Sequence, residues 1–213
     1  MDRRVYYSFH EIPFGGYEYG YIKPRMGFSS REIKEILISV IVLSLAFAIA
    51  WTRGAYSLLL YFLPVSFLAV VTAFACHEIA HKYAGIRYGY WSEYRMFPQG
   101  LLFALLLSFI GFVFAAPGAV MIFGMPSREE SGKISMAGPM ANIFVAIIFM
   151  LLASFGILYN VFIFVSHINA FLAFFNLIPF GPLDGRKIFA WNVTVWMAMI
   201  VMSVALMIIS FMI

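Results

Sequence analysis

Cysteine is almost missing from this 213-residue chain. Cys76 stands alone, so no internal disulfide can form and no cluster of several thiolates can hold a metal. Charge is scarce too: Asp, Glu, Lys and Arg make up 11% of the residues, and aspartate occurs only as Asp2 and Asp184. What takes their place is apolar. Hydrophobic residues are 63% of the chain, far more than one soluble core of this length would bury, so the chain is expected to be an integral membrane protein with the lipid bilayer as a partner. The net charge of +4 comes from basic residues spread over loops and terminal segments. Without a dense basic patch, this argues against nucleic acid as a partner and fits membrane orientation instead. Residues 1–30 are aromatic and Gly-rich with interspersed charge, unlike a signal peptide's short basic start and apolar core, and are expected to form a cytosolic or interfacial arm. Residues 31–213 are expected to form a single membrane domain. Cys76 reads as a small buried residue.

Several apolar runs approach or exceed the roughly 20 residues that span a bilayer as helix. The first is predicted from about Ile33 to Trp51, entered through Ser29-Ser30-Arg31-Glu32, where a Ser cap and an early acid suit a helix start. A second is predicted from about Tyr56 to Ala84, with a kink at Pro64. Others run from about Ile134 to Leu158, from Val161 to Ile178 and from Ile188 to the C-terminus, with a tight turn over Gly156 to Asn160. Between the second and third, Leu101 to Phe114 is apolar but leads at once into Ala115-Ala116-Pro117-Gly118-Ala119. Charge chooses between readings of this segment. If it crossed once, Arg128 and Lys133 would lie opposite Lys82, Arg87 and Arg95; if it dips in and returns, all of them share one side with Arg186 and Lys187, leaving Arg53 alone on the other. The expected fold class is therefore an all-α polytopic membrane protein of about five to six transmembrane helices, with a small re-entrant or membrane-associated β element between the second and third clear spans. Its extended pieces are predicted near Arg87 to Phe97 and Gly111 to Ile122. The basic loops predict a multi-pass protein of the cell membrane with its N-terminus and metal-site loops in the cytosol.

The chemistry begins at His77-Glu78-Ile79-Ala80-His81. On a helix, residues four apart stack on one face, so His77 and His81 can direct two imidazoles at one metal, with Glu78 close enough to act on a water. Catalytic zinc usually takes three protein ligands and keeps one position for water. Asp184 is the best candidate for the third, because a lone carboxylate near a membrane is costly unless paired or metal-bound. Pro179 and Pro182 break the preceding helix, and Gly185 permits a tight turn that frees the carboxylate to point inward. Other polar residues have plainer expected roles: His167 as a hydrogen-bonded packing histidine, Asn142 as a bridge between helices, and Glu93 as a solvated side chain.

With Asn176 to Gly185 and Ser135-Met136-Ala137-Gly138-Pro139-Met140-Ala141-Asn142, the motif makes the chain resemble the site-2 protease family of intramembrane zinc metalloproteases, over roughly Tyr56 to Gly185. The chain departs from the family's pattern at Arg186, where a second Gly often follows Asp-Gly, and in a Gly-rich strand represented only by Ala115 to Ala119. The resemblance implies that His77, His81 and Asp184 bind one zinc ion, that Glu78 activates the water, and that Asn176 helps hold substrate or the developing oxyanion. Residues 31–213 would then be one intramembrane metalloprotease domain with its core over 56–185. Its function would be zinc-dependent endopeptidase cleavage within or near the transmembrane helices of protein substrates. A membrane metal transporter or sensor, or an inactive relative that binds helices without cutting them, are the alternatives. Glu78 between the histidines and the lack of an inverted repeat speak against the first, and retention of all four site residues against the second.

Overall fold

A computed structural model describes residues 24–113 and 116–212; residues 1–23 of the predicted arm over 1–30, and Phe114 and Ala115 of the predicted second extended piece, lie outside the described residues. Helix α1, Ser30–Thr52, starts where Ser29 Oγ accepts the Glu32 amide at 3.1 Å and stops where Arg53 turns left-handed at φ 46°. A 3-10 turn over Tyr56–Leu58 leads into α2, Leu59–Val70, which contains Pro64. The departure from α geometry comes later, in a π-helical turn over Val71–Ala75. There the Thr72 hydroxyl bonds the carbonyls of Leu68 and Ala69 at 2.9 and 3.0 Å, competing with the backbone ladder. Helix α3, Cys76–Arg87, completes the run and carries the metal motif.

The predicted extended pieces pair. Strand β1, Trp91–Met96, runs antiparallel to β2, Gly118–Phe123, from Trp91 opposite Phe123 to Met96 opposite Gly118. Between them lies a short apolar helix α4, Pro98–Ser108, packed on α1. Helix α5, Arg128–Ala153, begins six residues before its predicted start, because Ser127 and Glu130 cap it reciprocally. Helix α6 covers Tyr159–Asn176. The single C-terminal helix predicted from Ile188 is in fact two, α7 (Asp184–Trp191) and α8 (Val193–Met212). Asn192 separates them with extended backbone at φ −150° and accepts the Val195 amide on its side-chain oxygen at 3.1 Å, which caps α8.

Among the described residues, five helical stretches are long and apolar enough to cross a membrane: α1, the run Tyr56–Arg87, α5, α6 and α8. The molecule is an all-α polytopic membrane protein with a small β element. One apolar cluster joins Val40 and Leu43 of α1 to Val70, Phe74, Tyr94 and Leu101, and a second joins Ile143, Ala173, Leu177, Ile188 and Met199. Helix α3 packs on α5 between them.

The outer edge of β1 is closed by α1. Glu32 Oε1 accepts the Tyr94 amide and Glu35 Oε2 accepts the Met96 amide, each at 2.9 Å. Glu32 also takes Lys82 Nζ at 2.5 Å, and both side chains are buried. Glu93, expected to be solvated, is fully buried instead; it accepts from Ser29 Oγ at 2.5 Å and pairs with Arg95 at 2.7 Å. The strand's alternation places this carboxylate against the α1 start, where the Ser29 hydroxyl compensates its loss of water. Asn142 is also fully buried, but neither of its amide atoms has a partner, so it does not bridge helices as expected. His167 packs as expected, with Nδ1 2.9 Å from Ser210 Oγ, and Cys76 is half-buried.

Candidate metal centre

Helix α3 places His77 and His81 one turn apart with ring centroids 4.6 Å from each other. Their Nε2 atoms are 3.0 Å apart, and Asp184 Oδ2 lies 3.0 Å from His81 Nε2 and 3.3 Å from His77 Nε2. Asp184 reaches them because α6 ends at Asn176 and α7 begins at Asp184 itself, after the turn containing Pro179 and Pro182. Gly185 serves by close approach, not by an unusual φ: a Cβ there would run into the Leu177 carbonyl. That carbonyl also accepts the Trp196 indole N–H at 2.7 Å, which fixes the turn against α8.

Two imidazoles and a carboxylate are a donor set suited to zinc, and they leave a coordination position for water. The tautomer of His81 agrees. Its Nδ1 lies 2.9 Å from the Ile134 carbonyl, which can only accept, so Nδ1 carries a proton and Nε2 is the nitrogen turned to the shared centre. Gly138 makes room for both rings: a Cβ there would lie 2.5 Å from His77 Nε2 and closer still to His81 Nε2. Burial pushes the Asp184 carboxyl up, but the neighbouring His81 and His77 outweigh it and hold the group well below the ordinary carboxylate range. The three residues each offer one ligand atom within 4.8 Å of the others and are a group that could hold a metal ion.

Glu78 is buried beside the histidines, and its Oε2 accepts the Val120 amide of β2 at 3.0 Å. His77, Glu78, His81 and Asp184, all singled out in the sequence, are thus brought together. Asn176 stands at the end of α6, where its side-chain nitrogen donates to the Leu172 carbonyl at 3.1 Å. The backbone contributions of Ile134 and Val120 escape a reading of the sequence, since a carbonyl or an amide leaves no mark in residue type. Only Gly138 was signalled, by the Ala-Gly-Pro helix segment.

A bundle with five potential spans among the described residues and a largely buried His-His-Asp group able to hold a metal defines a multi-pass membrane protein with a candidate metal-binding site. Comparison with known proteins makes this more specific. Over 175 residues, 79% of this chain and 88% of the relative, the chain is 39% identical to the Methanocaldococcus jannaschii protein named "Putative zinc metalloprotease MJ0611". It is 28% identical over 131 residues to "Zinc metalloprotease MJ0392" of the same organism, a match that covers 60% of this chain and 34% of that protein. No family model matches the chain, and no solved structure matches it. The chain belongs to the zinc metalloproteases.

Proposed function

We propose that the chain is an intramembrane endopeptidase of the site-2 protease type, which hydrolyses peptide bonds within or near transmembrane helices of other membrane proteins. The observation that carries this reading is Glu78, buried with His77 and His81 at one end of an apolar helical run, with the half-buried Asp184 converging on both histidines. In this reading His77 Nε2, His81 Nε2 and Asp184 Oδ2 hold one zinc ion. Zinc bound there would supply Lewis acidity, lowering the pKa of water toward neutrality and polarising a peptide carbonyl. Glu78 Oε2 takes a proton from the attacking water and hands it to the leaving amine.

The peptide carbonyls of an intact transmembrane helix are hydrogen-bonded and shielded, so the substrate must unwind to meet Glu78. An extended segment needs a strand to pair with. The amides at Tyr94 and Met96 on the outer edge of β1 are already taken by Glu32 and Glu35, which favours pairing along β2. On β2 the Val120 N–H is held by Glu78. A substrate carbonyl that takes over this donor releases Glu78 Oε2 for proton transfer, so strand pairing and activation of the base are one event. Asn176, free to exchange its bond to Leu172, orients the substrate or supports the oxyanion. The protein is a multi-pass protein of the cell membrane with the metal-site loops and N-terminus in the cytosol, in line with the basic residues gathered at that end.

Zinc per chain in detergent-purified protein is the first test: about one ion in the unaltered chain, falling sharply in Asp184→Ala. Glu78→Gln should keep its zinc and lose cleavage of a reconstituted transmembrane substrate. Undiminished turnover in that variant would remove Glu78 from the base role, and equal zinc in Asp184→Ala would remove Asp184 from the ligand set.

A further inference from the structure

Carboxylates are few in this molecule, and those among the described residues are all engaged. Glu32 pairs with Lys82, Glu35 with Arg31, Glu93 with Arg95, Glu129 with Lys133, and Asp184 faces two histidines. Glu78 holds the Val120 amide, and Glu130 is spent on the α5 cap and the Tyr90 hydroxyl. Among the described residues none is left for Arg128, Arg186 and Lys187, and these three cations line one open cavity of about 300 Å³. The Ser131 hydroxyl and the apolar side chains of Pro182 and Leu183 line it as well.

The cavity lies at the level where spans enter and leave the bilayer. Arg128 is the first residue of α5, and α7, which carries Arg186 and Lys187, bridges the end of α6 and the start of α8. Trp191, with Lys133 Nζ 5.8 Å from its ring, adds the kind of aromatic anchor that sits at lipid headgroups. Arg128 Nε is fixed by the Ala190 carbonyl, which leaves its terminal nitrogens as donors. Cations with no carboxylate partner among the described residues, a serine and apolar neighbours at a membrane boundary complement a phosphodiester on a glycerol stem.

We infer that this cavity binds the headgroup phosphate of an anionic phospholipid, held by Arg186, Lys187 and Arg128, with Ser131 as a further donor. Leu183 lines the cavity and Asp184 follows it, so a bound headgroup ties α7 to α5 one residue from the metal centre. The binding itself rests on the membrane setting and is independent of the proteolytic reading.

Native mass spectrometry of the full chain in a neutral detergent, with added phosphatidylglycerol or phosphatidylcholine, tests it. Phosphatidylglycerol should bind in preference to phosphatidylcholine. The R186Q/K187Q variant should bind it about thirtyfold more weakly, roughly fivefold for each lost cation, while Arg53→Gln at the opposite end of α1 leaves it unchanged. Lys187→Gln alone, expected to weaken binding about fivefold, keeps the inference testable if the double variant does not fold. Equal phosphatidylglycerol binding by R186Q/K187Q would overturn the site, and so would equal binding of the two lipids by the unaltered chain. Saturable binding of inorganic phosphate, lost in R186Q/K187Q and without preference between the lipids, would replace the headgroup with a free phosphate ligand and overturn the lipid assignment.

Discussion

Gly138 lacks a side chain where two imidazole nitrogens stand. Gly138→Ala should therefore leave the helix in place and push the ligands apart. Crowding of this kind costs about 1–3 kcal/mol, so zinc affinity should fall roughly tenfold or more, read by competition with a chelating dye. Affinity equal to that of the unaltered chain would mean that α5 yields to the methyl group and the rings do not. The side chains of the site were legible for physical reasons: the helical period aligns His77 with His81, and the scarcity of aspartate leaves Asp184 as the economical third donor. Their backbone partners were not, because the Ile134 carbonyl and the Val120 amide are brought to the site by the packing of α5 and β2 on α3, not by residue type. Asn142 marks another limit. Its polarity predicts a partner, yet neither of its side-chain atoms has one. Asn142→Leu loses no hydrogen bond among the described residues and should raise the melting temperature or leave it unchanged; a marked fall would show that this amide is bonded in solution.

The strand pair depends on α1 through two contacts that differ in kind. Glu32 and Lys82 form an ion pair with both side chains out of water. Glu32→Ala leaves a buried ammonium without its counter-charge and the Tyr94 amide without an acceptor, at a cost of about 3–5 kcal/mol. The E32Q/K82M pair of changes, which keeps an acceptor and removes the charge, should recover most of that loss in denaturant titrations in mild detergent. Tyr94 donates to the Pro117 carbonyl and lies 2.9 Å from Ser39 Oγ, linking the entry of β2 to α1. Burial pushes its hydroxyl above the ordinary tyrosine range, so the protonated form is favoured in the fold. That contribution is complete below about pH 10 and is lost as the pH rises through the folded value. Tyr94→Phe should thus lower stability by about 1–3 kcal/mol near neutrality and flatten its alkaline decline, a difference visible in parallel unfolding curves. At this scale hydropathy located α1, α5 and α6, the Ser29 cap located the start of α1, and the β-rich composition located both strands. The break at Asn192 was hidden because apolar residues continue on either side of it, and the π turn was hidden because it changes the backbone without changing composition.

Across the whole molecule, the five potential spans among the described residues are an odd number, so the start of α1 and the end of α8 fall on opposite sides of the membrane when each span crosses once. Helix α4 does not alter that parity: at about 1.5 Å per residue its 11 residues cover only about half of a roughly 30 Å hydrocarbon core. Joined His77, His81 and Asp184 require the end of α3, the start of α7 and the start of α5 to share one side. Arg128, Arg186 and Lys187 lie there, and Arg53 lies between α1 and α2 at the other. The charge asymmetry predicts the cytosol for the first side. Because Cys76 is the only native cysteine, a Cys76→Ser background makes the arrangement readable. In it, Lys187→Cys should react with a membrane-impermeant maleimide in inverted vesicles and be protected in intact cells, while Arg53→Cys, exposed in the fold, should behave in the opposite way. Labelling of both from one side would mean that the run Tyr56–Arg87 does not cross, and labelling of Lys187→Cys from outside the cell would keep the topology and reverse its direction.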